Sequence, residues 1–291
     1  MKKLILILAT VAIAFGMQAK PRSIEAHHGK VAGGYNFWLA TPEDTSTPKP
    51  LIIFLHGASL CGNNLDKVRR YGTIDALERG REIDAYVVAP QNPGGGWRPS
   101  KVKDVMEWVK ANGNVDTSRI YVLGMSLGGY GTIDFAATYP DEIAAAIGIC
   151  GGGSVKGMAN LNKMPMWIVH GTADRAVTVA QSDKVVSAMR EADSKTPRLI
   201  YDRVPGMNHS QPARMFYMPE IYEWLFKHSL TDKGRPVHKA IPISVSAMSD
   251  AYKGISRKPG GHHKSKASKS HKHGKKHGAK SSRKRGKRSH R

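Results

Sequence analysis

Short, continuous apolar runs recur along the chain, and between them apolar residues return at helical spacing. Residues 51–55, 85–89, 119–123, 143–149, 166–169 and 199–204 have strand length, and most of them lack the alternation of a half-exposed strand. Between the runs lie helix signals: an interrupted one over 63–82 with Gly72 inside it, one following Ser126 to about Tyr139 and stopped by Pro140, and others over 181–192 and 219–228. A further helix is predicted from Ser100 as cap, with Val102, Val105, Met106 and Val109 on one face. Strands alternating with helices predict an α/β fold, a mainly parallel sheet covered on both faces by helices. Ligands of such sheets bind beyond the carboxyl ends of the strands.

Two extended segments, 23–32 and 35–41, flank Gly33-Gly34 and read as an opening antiparallel pair. Before them stands Lys2-Lys3, then an apolar run from Leu4 to Met17 too short to span a bilayer, then Gln18-Ala19. This reads as a signal peptide over 1–19, cleaved near Ala19 or, failing that, after Gly16. The body is then exported, periplasmic or secreted, with no transmembrane segment in the mature chain. Past Thr231 the periodicity stops. The sequence thus divides into a leader (1–19), a catalytic body (20–231), and a linker with a basic tail (232–291).

Composition changes the picture at that tail. The net charge of +22 is uneven, since residues from Lys253 onward hold 16 Lys and Arg with no Asp or Glu. Without those and Lys2 and Lys3, the body carries 27 basic against 23 acidic residues, so whole-chain charge says nothing about its substrate. The tail has too few apolar residues to offset its ordering entropy, and is expected to be disordered. Contact with polyanions or a cell surface through 253–291 is one expectation, and a solvated tail without partner is the other. Its six histidines lack fixed ligand spacing, so no metal is assigned. The two cysteines, Cys61 and Cys150, are expected beyond strand ends, either bridged or as two buried free thiols.

The candidate chemistry centres on Gly124-Met125-Ser126-Leu127-Gly128, where the 119–123 strand meets a helix. A serine in a tight strand-to-helix turn crowds its neighbours two before and two after, and glycine there removes the clash. Its hydroxyl rises above the sheet edge, and the Leu127 amide at the start of the helix points where an oxyanion would form. A serine hydroxyl needs a base and an acid to orient that base. Asp174 lies just past the 166–169 strand and His209 in the loop after the 199–204 strand, in the chain order Ser, Asp, His. Asp183 and Asp202 are the substitutes for Asp174. A second oxyanion amide is expected from Ala58, with Ser59 next, in the loop after 51–55. Trp97, on the glycine-rich loop 91–99, is a candidate substrate-binding wall, its alternative being ordinary packing. His56 and His170 each precede a glycine and read as loop-shaping. Only a short link joins Cys150 to Met166, so no large lid is expected and the site should be open.

The motifs Ile-Phe-Leu-His-Gly (53–57), Ala-Pro-Gln-Asn (89–92), Gly-Met-Ser-Leu-Gly-Gly-Tyr-Gly-Thr (124–132), Trp-Ile-Val-His-Gly-Thr-Ala-Asp (167–174) and Gly-Met-Asn-His-Ser (206–210) resemble the α/β-hydrolase superfamily. Within it the chain is similar to the phospholipase/carboxylesterase and predicted-peptidase branch, related to polyhydroxybutyrate-depolymerase-like and feruloyl esterases. The resemblance covers about 49–230. It implies an α/β-hydrolase fold, Ser126, Asp174 and His209 as triad, and oxyanion amides from Leu127 and the His56-Gly57 loop. The basic tail falls outside the family pattern. Three readings follow: a secreted serine esterase on short acyl or feruloyl esters of polysaccharides, a prolyl-oligopeptidase-like serine peptidase, and a polyanion-binding protein acting through its tail. The esterase reading calls for no cofactor.

Overall fold

The computed structural model describes residues 22–154 and 156–256. The expected leader at 1–19 and the tail from Arg257 lie outside the described residues.

One eight-stranded sheet runs through the molecule in the order β1-β2-β4-β3-β5-β6-β7-β8. Its strands are β1 (Ser23–His27), β2 (Phe37–Thr41), β3 (Lys49–Leu55), β4 (Tyr86–Pro90), β5 (Val115–Met125), β6 (Ala145–Ile149), β7 (Met166–Gly171) and β8 (Leu199–Val204). The opening hairpin β1–β2 is antiparallel and β2 joins β4 antiparallel, whereas all pairs from β4 through β3 to β8 are parallel. Parallel strands need crossovers, and the helices α1 (Thr73–Glu78), α2 (Pro99–Asn112), α3 (Leu127–Thr138), α4 (Ala180–Ala192) and α5 (Pro219–Phe226) cover the sheet.

The unbroken apolar strands have a direct cause. Along β3, Ile52 and Phe54 enter the core beneath α1 and α5, while Leu51, Ile53 and Leu55 enter the core beneath α2, α3 and α4. Tyr121 and Leu123 of β5 join the first core, Ile120 and Val122 the second. With both faces covered, every position is interior, and strand alternation disappears from the sequence. The α2 face predicted from Val102, Val105, Met106 and Val109 is fully buried, but Ser100 does not cap it. Arg98 is the cap and Pro99 occupies the first turn, where a missing N–H costs nothing. The interrupted 63–82 signal resolves into a 3-10 turn, Leu65–Arg70, and α1, split by Gly72 at φ 102°.

The body does not end at Thr231. Residues 232–256, read above as linker, pack back onto the sheet, burying Ile243, Met248, Ala251 and Ile255. The Arg235 guanidinium donates to the Pro140 carbonyl at 2.8 Å and to that of Ile143, and the Ser256 amide donates to the Arg79 carbonyl at 2.9 Å. This irregular segment has only a short 3-10 turn, Ala247–Asp250, so its apolar residues follow neither helix nor strand period. Among the described residues no helix is long and apolar enough to cross a membrane.

Candidate active site

Three loops meet above the carboxyl ends of β5, β7 and β8. Ser126 joins β5 directly to α3 with φ 59° and ψ −123°, a left-handed conformation that costs a residue with a Cβ about 1–3 kcal/mol. Its amide donates to the Ile149 carbonyl at 2.9 Å, and its carbonyl accepts from the Tyr130 amide at 3.0 Å. The glycines on either side are required by close approach. A Cβ on Gly124 would lie 2.5 Å from the Leu55 carbonyl oxygen, and one on Gly128 only 1.8 Å from it. The serine turn is therefore wedged against the end of β3.

His209 stands 2.9 Å from Ser126, Nε2 to Oγ, and 2.7 Å from Asp174, Nδ1 to Oδ2. With Nδ1–H donating to the carboxylate, Nε2 is left as the acceptor that faces the Ser126 hydroxyl. Asp174 is turned inward with a fully buried side chain, while the His209 ring keeps 27% of its surface. The Ala176 and Val177 amides each donate to Asp174 Oδ1 at 2.9 Å. Burial alone would raise the Asp174 pKa, but the His209 and amide donors outweigh it and hold the carboxyl below its ordinary range. The aspartate stays charged. Asp183 and Asp202, the substitutes, are engaged elsewhere, by Tyr201 at 2.6 Å and by the Trp167 indole N–H at 2.8 Å.

The two other strand-end histidines shape the loops. His170 is fully buried, its Nε2–H donating to the Val177 carbonyl at 2.8 Å and lying 3.4 Å from Asp174 Oδ2. It fixes the turn that carries Asp174. His56 donates from Nδ1 to the Gly57 carbonyl at 2.8 Å and accepts from the Asn92 amide at Nε2, at 3.1 Å. Burial drives its pKa down to about 4, so the ring is neutral and joins the 56–59 loop to the loop after β4.

Ala58 opens a 3-10 turn, Ala58–Leu60, and Leu127 opens α3, so both amides lack partners within their own helices. A Cβ on Gly57 would meet Ser126 Cβ at 3.5 Å, which places this loop beside the serine. Tyr71, which no sequence signal singled out, pins the loop by accepting from the Gly57 amide at 2.9 Å. Ala58, Ser59, Tyr71, Met125, Val177 and Ala213 line a cavity of about 540 Å³ that holds Ser126 and His209. The wall is mostly apolar and open. A larger depression, about 780 Å³ over α4 and β8, touches none of the three residues and is lined by charged side chains, the Asp183–Arg203 ion pair among them.

Trp97 is not on the cavity wall. Its side chain is 6% exposed, donates from Nε1 to the His56 carbonyl at 3.2 Å, and lies so close to Gly131 of α3 that a Cβ there would meet the ring at 2.7 Å. Burying the indole against a glycine while satisfying its N–H makes it a core residue beneath the site. The cysteines are unbridged, with Cys150 buried and Cys61 half-buried. Cys150 Sγ lies within 4.8 Å of the Asp174 and His209 ligand atoms. Burial pushes that thiol up to about 12, which disfavours the thiolate a metal would need, and His209 and Asp174 already bind each other.

Residues 97–211, from the Trp97 loop to just past His209, match the model of the Dienelactone hydrolase family. A solved structure described as a thermostable esterase superposes on 71% of the chain and 63% of its own length, with a TM-score of 0.61 and 25% identity. This is the α/β-hydrolase fold. Relatives of the chain include poly(3-hydroxyalkanoate) depolymerase C of Paucimonas lemoignei, 28% identical over 44% of the chain and 34% of the relative. Another is the bifunctional acetylxylan esterase/xylanase XynS20E of Neocallimastix patriciarum, 24% identical over 60% of the chain and 28% of the relative. The chain thus spans about a third of the length of these relatives.

Proposed function

We propose that the protein is a serine hydrolase of carboxylic esters, with Ser126 as nucleophile, His209 as base and acid, and Asp174 as the group that orients His209. The observation that carries this reading is the continuous path from Ser126 Oγ through His209 to Asp174, 2.9 and 2.7 Å long, opening into an apolar cavity. In the proposed mechanism His209 Nε2 takes the serine proton as Oγ attacks the ester carbonyl. The developing oxyanion lies against the Leu127 and Ala58 amides, which are held in place by α3 and by the Tyr71-pinned loop. His209 then passes the proton to the departing alcohol oxygen, leaving an acyl-Ser126. Water, deprotonated by His209, releases the acid.

For the acyl group, the proposal is a short aliphatic or an aromatic acid such as ferulate. A mostly apolar cavity of about 540 Å³ has room for either and offers few polar groups to hold a long peptide. Two relatives named for polyester depolymerisation and for acetylxylan hydrolysis support an ester on a polymer, with a polysaccharide as the alcohol side. The proposed organisation is a leader over 1–19 that directs export, a catalytic body now extended to Ser256, and a basic tail that retains the enzyme near anionic polymers. The 16 basic residues from Lys253 onward support the last point.

The same constellation cleaves amides, so the test compares the two bonds. Steady-state kinetics on p-nitrophenyl acetate, methyl ferulate, acetylated xylan and proline-containing peptide anilides should give kcat/KM higher for the esters by orders of magnitude. A preference for the anilides would replace the esterase reading with a peptidase one.

A further inference from the structure

The apolar cavity reaches His209. A second depression of about 590 Å³ borders it at that ring, with Ala176, His209 and Ser210 lining both. Arg175, Gly206 and Asn208 line only the second, whereas Ser126 and Ala58 line only the first. The order of the chemistry assigns a role to each side. The acyl carbonyl must lie at Ser126 and the oxyanion amides, while the leaving oxygen must face His209, which gives it a proton. What hangs from that oxygen therefore extends past His209, into the depression that Arg175 lines.

Arg175 is exposed, and among the described residues no hydrogen bond or ion pair engages its guanidinium. No acid lines the depression. The adjacent Asp174 cannot neutralise it, because that carboxylate is turned inward with its oxygens taken by Ala176, Val177 and His209. Asn208 adds a second polar group. Its Oδ1 accepts from the Ser210 amide and hydroxyl at 3.1 and 3.0 Å, which fixes the side chain and leaves its Nδ2 donors unclaimed among the described residues. A planar guanidinium and an amide donor lining one depression, with no Lys or second Arg on its wall, fit a singly charged planar acceptor, which is a carboxylate rather than a phosphate dianion.

We infer that Arg175 and Asn208 form a leaving-group subsite for an ester whose alcohol portion carries a carboxylate, as in an acylated uronic-acid unit of an acidic glycan. The inference rests on the ester-hydrolase reading above and deepens it. Arg175 selects between substrates at a position that the nucleophile does not touch, so its contribution is in the ratio of rates between anionic and neutral alcohols.

The experiment measures kcat/KM for 4-acetoxybenzoate against its methyl ester, and for acetylated galacturonate oligomers against acetylated xylo-oligomers. It uses the full chain, Arg175→Gln, Arg175→Lys and the distant exposed control Arg190→Gln. An exposed charge pair is worth up to about 1 kcal/mol, so Arg175→Gln should lower the anionic-to-neutral ratio about fivefold, mostly through KM. Arg175→Lys should restore part of it, Arg190→Gln should leave it where it was, and added salt should narrow it. A ratio unmoved by Arg175→Gln, or moved equally by Arg190→Gln, overturns the subsite while leaving the hydrolase reading standing. Failure of the intact chain to turn over any of these acetates sinks the hydrolase reading first, and the subsite with it.

Discussion

Gly128 offers the sharpest test of how the fold sets the site. A Cβ built there would sit 1.8 Å from the Leu55 carbonyl oxygen, 2.5 Å from its carbon and 2.8 Å from the His56 carbonyl oxygen. Ordinary contact begins at 3.4 Å, so Gly128→Ala demands a separation of about 1.6 Å between α3 and the end of β3. The obstructing atoms are backbone, and no side chain can swing aside. Overpacking of this kind costs about 1–3 kcal/mol, which should lower the melting temperature without unfolding the chain. The larger effect should be on rate. The displacement would move Ser126 and the Leu127 amide away from the 56–59 loop, and a misplacement of about 1 Å costs on the order of 100-fold. Activity on p-nitrophenyl acetate, read beside circular dichroism and a thermal melt, gives both quantities. Gly96→Ala is the control, because a Cβ there meets nothing within 4 Å. A Gly128→Ala variant with kcat within threefold of the parent would refute the claim that this contact sets the nucleophile.

Acid should destabilise the protein through His56 and His228, whose pKa values burial pushes down to about 4. Above about pH 6.5 both states hold these rings neutral, and as pH falls from there toward 4 the unfolded chain takes up protons that the folded chain refuses. Each ring should then cost up to about 3 kcal/mol by pH 4, read as a falling urea midpoint, and a midpoint flat from pH 7 to 5 would contradict the assignment. Met248→Ala should lose about 2–5 kcal/mol, because Met248 is fully buried. Unchanged stability in urea would mean that residues 232–256 do not pack as described.

How much of this was legible in the sequence varied with the kind of interaction. The parallel strands were readable because 51–55 and 143–149 are apolar at every position, the signature of burial on both faces. That Ser126, Asp174 and His209 would come together was legible because each sits at a strand end whose position the pattern already marks. Tyr71 was not, since its role is one hydroxyl on the Gly57 amide, a contact across the fold with no sequence period. Trp97 misled for a related reason. A tryptophan in a glycine-rich loop looks like a surface aromatic until Gly131 is seen to leave room for it in the core. The 232–256 segment was missed because irregular chain can bury Ile243 and Met248 without repeating at any period.

The most direct test of the central proposal is to trap the acyl-enzyme. The protein is quenched in acid during turnover of p-nitrophenyl acetate or after a fluorophosphonate probe, digested, and mapped by mass spectrometry. The account predicts one modified peptide, with the added mass on Ser126, a stoichiometric burst of p-nitrophenol, and neither signal in Ser126→Ala. An adduct on another residue, or turnover that survives Ser126→Ala, would contradict it.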